Sequence, residues 1–173
     1  MTLPPVISVV GKSGSGKTVF LEKLIAVLKG RGLKIGVIKH DPHGFEIDTP
    51  GKDSWRHARA GSATVVLSSP ERLAIIKRLD EEMTLDALVS TYLQDVDLVI
   101  TEGYKTGRKK KIEVSRRERS QDLVSPAQDL IAIVTDQSFD LPVPHFGLDD
   151  AEAVADLLEE DVLRRDRGAA GAD

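Results

Sequence analysis

A chain of 173 residues with 40% hydrophobic and 30% charged side chains has the make-up of a globular protein with a core of its own. Its net charge of −4 gives no overall case for nucleic acid or an anionic membrane as a partner, and the absence of cysteine excludes disulfides and Cys-ligated zinc or iron–sulfur sites. The missing cysteines fit a reducing cytoplasm. The start Met-Thr-Leu-Pro-Pro is expected to carry no secretion signal, and no stretch approaches the roughly 18 apolar residues of a membrane span.

The first expected element is a buried parallel strand, the β-branched run Val6, Ile7, Val9 and Val10. It runs into Gly11-Lys12-Ser13-Gly14-Ser15-Gly16-Lys17-Thr18, which fits G-x-x-x-x-G-K-[ST], the Walker A phosphate-binding loop. The glycines let the backbone approach a ligand closely, and the loop's N–H groups then form an anion nest. A helix is expected at once, from about Gly16 to Lys29, with Phe20, Leu21, Leu24, Ile25 and Leu28 on one face. Its N-terminus adds positive dipole and unpaired N–H groups. Lys17 is expected on the β- and γ-phosphates and Thr18 on Mg²⁺.

Leu33 to Ile38 reads as a second strand, and residues 39–52 as a long polar loop of the kind that is usually functional. Asp53 or Ser54 is expected to cap a short helix through Ala60. On it, Lys52, Arg56 and Arg59 would share a face that suits a phosphate or a plain solvated surface. Trp55 is expected to pack at the base of the loop, and His40 and His43 are a weak metal signal. Ala63–Leu67 and Leu73–Ile76 read as a hairpin about Ser69-Pro70. Thr84 would cap a helix carrying Leu85, Leu88, Val89 and Leu93.

Asp97 to Thr101 reads as a buried strand ending in Glu102-Gly103. In a parallel sheet, ligands sit at the carboxyl ends of the strands. At about 3.3 Å per residue, Asp97 lies roughly 16 Å back along the strand, facing solvent, so Glu102 is the expected metal-side acid. Asp41 competes for that role. Lys105, Arg108, Lys109, Lys110 and Lys111 form a basic segment expected to be solvated, or mobile enough to close on phosphate. Ile112–Val114 and Leu130–Val134 read as strands, and Asp149–Arg165 as an amphipathic helix. The alternation predicts an α/β fold: three layers, a mainly parallel sheet and helices on both faces. It is expected as one nucleotide-binding domain over residues 1–166, with a frayed tail at 167–173.

Four stretches resemble the MobB family, the B proteins of molybdopterin guanine dinucleotide biosynthesis. They are Gly11–Thr18; Ile38-Lys39-His40 with His43 and Asp48; Gly51-Lys52-Asp53-Ser54 with Arg56 and Ala60-Gly61; and Glu102-Gly103-Tyr104-Lys105 with Lys111-Ile112-Glu113-Val114. The resemblance implies a P-loop NTPase fold and a cytoplasmic, dimeric, GTP-binding accessory protein with weak GTPase activity. Its partner would be the guanylyltransferase that joins GMP to molybdopterin. By resemblance Gly16, Lys17 and Thr18 go to phosphate and Mg²⁺, and Glu102 to the metal side. Lys110 stands where the family often has Pro. Lys12 resembles the lysine that acts across the dimer in MinD-type ATPases, although Ser13 stands where that pattern has Gly. Asp136, at the end of the last strand, is placed to accept the N1–H and N2–H₂ edge of guanine, which adenine lacks. A small P-loop kinase remains the alternative, with residues 105–119 as its lid.

Overall fold

The computed structural model describes residues 3–107 and 109–163. The expected tail at 167–173, Arg108, and the expected end of the last helix at Arg165 lie outside them.

The described chain gathers into two compact units, one of residues up to 40 and from 88 onward, the other of residues 41–87. The first unit is built on a six-stranded sheet of β1 (Val6–Val10), β2 (Ile35–Lys39), β5 (Leu98–Glu102), β6 (Lys111–Ser115), β7 (Leu130–Thr135) and β8 (His145–Phe146), in the order β2-β5-β1-β6-β7-β8. Every described ladder in it is parallel. This is the α/β architecture expected of a P-loop fold. The short edge strand β8 had no periodic signal; two residues are too few to show one.

The two faces of the sheet differ chemically because side chains alternate along each strand. One face carries Ile7, Val9, Leu98, Ile100, Ile112, Val114, Ala132 and Val134, and packs on α1 (Lys17–Gly30) and α4 (Ala151–Leu158). Phe20, Leu21, Leu24 and Leu28 of α1 are buried there, each worth roughly 1.5–3 kcal/mol. The other face is more polar. Thr101 donates to Ser8 Oγ at 2.9 Å, and Lys111 and Glu113 are both 1% exposed. A buried ion needs partners. Lys111 Nζ meets Asp129 Oδ2 and the Gly107 carbonyl, each at 2.8 Å. Glu113 accepts the backbone N–H groups of Val124 and Ser125. Lys111 is therefore a buried structural cation, not part of the solvated basic segment.

Other expectations shift at their edges. α1 starts at Lys17, with Gly16 as its left-handed N-cap. β5 includes Glu102, and Asp97 precedes it, accepting the Lys34 N–H at 2.8 Å; it is half-buried rather than turned to solvent. α4 begins at Ala151 and widens into a π-helical turn, Glu159–Leu163.

The second unit carries α2 (Asp53–Arg59) and the antiparallel hairpin of β3 (Thr64–Ser68) and β4 (Leu73–Lys77), closed by a turn at residues 69–72. Lys52, not Asp53 or Ser54, holds the N-cap position of α2, and the Ser54 hydroxyl instead donates to Asp48. Thr84 does cap α3 (Leu85–Tyr92), accepting the Ala87 N–H.

Candidate functional site

The loop between β1 and α1 lies at the carboxyl edge of the parallel sheet. Gly11, Gly14 and Gly16 all have positive φ, at 146°, 74° and 92°. Gly11 has a second constraint: a Cβ there would stand 2.2 Å from the Val114 carbonyl oxygen. The backbone passes so close to β6 that only glycine fits.

Lys17 opens α1 and folds back over the loop. Its ammonium donates to the carbonyls of Gly11 at 3.1 Å and Lys12 at 2.8 Å. Burial lowers its pKa, and the Glu102 carboxylate opposes the shift. A desolvated lysine ringed by carbonyl oxygens is suited to exchange them for phosphate oxygens.

Thr18 follows on the first turn of α1, and its Oγ1 donates to Glu102 Oε1 at 3.0 Å. The sheet register explains the meeting. Val9 lies level with Glu102 on one side and Ile112 on the other. Glu102 thus shares the face on which α1 packs, at the end nearest the loop. Gly103 then turns away with φ 102°; a Cβ there would stand 2.8 Å from the His40 carbonyl. The His40 ring packs 4.7 Å from Tyr104.

The structure brings the glycine-rich loop, Lys17, Thr18 and Glu102 together. Thr18 and Glu102 are hard oxygen donors of the kind Mg²⁺ takes alongside phosphates and water. Among the described residues no three His, Cys, Asp or Glu side chains cluster as a metal cage. His40 and His43 accordingly form no such cage. Asp136 follows β7 and accepts the Arg117 backbone N–H through Oδ1 at 2.8 Å. Lys12 Nζ donates to Ser120 Oγ of the same chain. Ser15 Oγ is buried with no hydrogen-bond partner, and Ser13 is exposed at the loop's outer edge.

In the second unit, Arg59 lies over the Trp55 ring at 5.3 Å and Arg56 stands 3.7 Å from Asp53. Asp41 accepts the His43 N–H in its own loop.

Sequence reasoning reached the turn after β6 only as part of the lid of the kinase alternative, residues 105–119, and singled out none of its side chains. Arg119 and Ser120 donate their backbone N–H groups to the Arg116 carbonyl, a helical turn that puts the three side chains on one side. Arg116 and Arg119 reach over Gly16 and Gly14 of the loop. The strand-end rule that picked out Glu102 and Asp136 applies equally to β6 and would have found them.

The sequence matches the MobB family, molybdopterin guanine dinucleotide synthesis protein B, over residues 6–136. The chain belongs to the MobB family. It is similar to the molybdopterin-guanine dinucleotide biosynthesis adapter protein of Haemophilus influenzae, 35% identical with 90% of this chain and 88% of the relative covered. The Escherichia coli adapter protein is 34% identical, with 92% and 94% covered. Among solved structures, a molybdopterin-guanine biosynthesis protein B superposes with a TM-score of 0.73 at 33% identity, covering 90% of this chain and 98% of that one. Bacillus subtilis MobB superposes with a TM-score of 0.74 at 29% identity, covering 90% and 96%. The glycine-rich loop of residues 11–18 lies within the matched span.

Proposed function

We propose that this chain is a GTP-binding adapter of molybdopterin guanine dinucleotide biosynthesis, with a weak Mg²⁺-dependent GTPase activity. It would act as a cytoplasmic homodimer beside the guanylyltransferase, and molybdopterin itself is a further candidate ligand. Family membership and the names of the relatives support the pathway. The observation that carries the nucleotide reading is the Thr18–Glu102 contact at the mouth of a glycine-rich anion nest.

The roles follow from position. The backbone of Gly11, Lys12, Ser13, Gly14, Ser15 and Gly16 would wrap the phosphate chain with its N–H groups, the Ser15 N–H exchanging its bond to the Lys12 carbonyl for a phosphate oxygen. Lys17 releases its two carbonyls for the β- and γ-phosphates. Thr18 and Glu102 would hold Mg²⁺, which when bound neutralises charge on the phosphate oxygens. Asp136 keeps Oδ2 for the guanine edge while Oδ1 holds the Arg117 N–H. Among the described residues no helix is long and apolar enough to cross a membrane.

The hairpin supports the homodimer. Val66 pairs with Ile75, so both stand on one face with Leu73, and these three are 56%, 43% and 66% exposed. A lone two-stranded sheet is marginal in water. A second copy would cover that face.

Calorimetry with GTP and with ATP, each with Mg²⁺, tests the reading, with Lys17→Ala as control. GTP preference that is lost in the control, with slow release of free phosphate, is the expected result. ATP preference would shift the reading to a kinase, and Asp136→Asn with an intact preference would remove the guanine role.

A further inference from the structure

The turn at 116–120 is held against the loop by more bonds than a surface turn needs. Gln137 Nε2 donates to Ser115 Oγ at 3.0 Å and to the Ser120 carbonyl at 2.8 Å. Asp136 takes the Arg117 N–H, Glu113 fixes the chain just beyond at Val124 and Ser125, and Lys12 reaches Ser120 from the loop itself. The turn is thus pre-positioned from below by β6 and β7.

What it presents to the loop is charge. A Cβ added at Gly14 would stand 3.0 Å from Arg119 Nε and 3.2 Å from its Cζ, and one at Gly16 would stand 3.3 Å from Arg116 Nε. Arg116 Nε is buried without a hydrogen-bond partner. The ion pairs of the described residues include neither arginine. Asp149, which is bonded to Lys23, feels Arg116 only at longer range. Two guanidiniums and the ammonium of Lys17 therefore converge on one loop, and an orphaned N–H beside a cationic cluster calls for an anion.

Resting on the nucleotide-binding reading of the loop, we infer that Arg116 and Arg119 form a clamp, supplied within the same chain, on the phosphates of the bound nucleotide. The planar fork of arginine grips phosphate oxygens in pairs, which a lysine cannot do. The loop and α1 hold the phosphate chain from one side; the arginines close it from the β6 side. Ser120, bonded to Lys12, ties this clamp to the loop, so the arginines and the nest move together.

The test measures GTP affinity of the full chain and its Arg116→Ala, Arg119→Ala, Arg116→Lys and Arg119→Lys variants. Inorganic tripolyphosphate serves as a competitor that carries no base or ribose. Each alanine variant should weaken GTP and tripolyphosphate alike by about tenfold, with an unchanged unfolding midpoint, and each lysine variant should recover part of the loss. Unchanged affinity in the alanine variants overturns the clamp, as does a loss of GTP with tripolyphosphate competition intact, which would assign the arginines to base or ribose. An intact chain that binds no nucleotide sinks the loop reading and the clamp with it; an intact chain that binds GTP while its alanine variants bind equally well sinks the clamp alone.

Discussion

Thr18 Oγ1 and Glu102 Oε1 meet at 3.0 Å although 84 residues separate them in sequence. One residue sits in the first turn of α1 and the other closes β5, and only the parallel register of β1 with β5 brings them level. On the proposed reading, a divalent cation would be held by these two residues. Glu102→Gln keeps the shape and removes the charge. The Mg²⁺-dependent part of GTP affinity should then fall about 10–100-fold, with metal-free binding nearly unchanged. Titrations with and without Mg²⁺ check this; equal losses in both would take Glu102 off the metal.

Lys17 makes a pH prediction. Burial, the largest cause, lowers its pKa below the 10.5 of a free lysine. The unfolded chain then holds more protons between the two values, so the contribution of Lys17 to stability rises as pH climbs through the folded pKa toward 10.5. Lys17→Met should flatten that alkaline rise in nucleotide-free protein. Urea unfolding of both proteins across the window, compared as a difference, reads it; parallel curves would contradict the shift.

Gly11→Ala tests the close approach of loop and β6. The added methyl would collide with the Val114 carbonyl at 2.2 Å, at a φ that side chains rarely adopt. The loop must move, at a cost of about 1–3 kcal/mol in stability. Nucleotide binding should be lost with it. A variant that melts and binds like the parent would show that the loop can relax freely.

Glu113→Ala should cost about 3 kcal/mol, because it leaves the N–H groups of Val124 and Ser125 without their carboxylate. The loss should also loosen the 116–125 segment. Hydrogen exchange at Val124 and Ser125 is the direct readout, and unchanged protection there would mean the loop is held by other bonds.

The exposed hairpin face predicts the oligomeric state. Val66→Lys and Ile75→Glu place opposite charges on paired positions, which keeps the strands compatible with each other and removes the apolar face. Light scattering should show a dimer for the parent and a monomer for the double variant. A parent that is monomeric at all concentrations would remove the homodimer from the proposal.

Much of the molecule was legible because its signals are local. The loop's glycines, the apolar stripe of α1 and the β-branched runs at 6–10 and 98–100 each declare themselves within a few residues. Glu102 could be found because one rule about strand ends links separate segments. Lys111 could not: its charge reads as solvated, and only Asp129, 18 residues on, and the Gly107 carbonyl make its burial tolerable. The α2 cap went to Lys52 because Asp48 had already engaged Ser54.

The sequence by itself therefore determined the fold class, the family and the glycine-rich loop after β1, since periodicity and glycine spacing are properties of short stretches. The tertiary structure alone decided which polar side chains meet. It placed Glu102 on Thr18, buried Lys111 and Glu113 under the sheet, and laid Arg116 and Arg119 over the loop. Those pairings depend on strand order and register, which bring distant segments within a few ångströms and leave no mark on the residues between them.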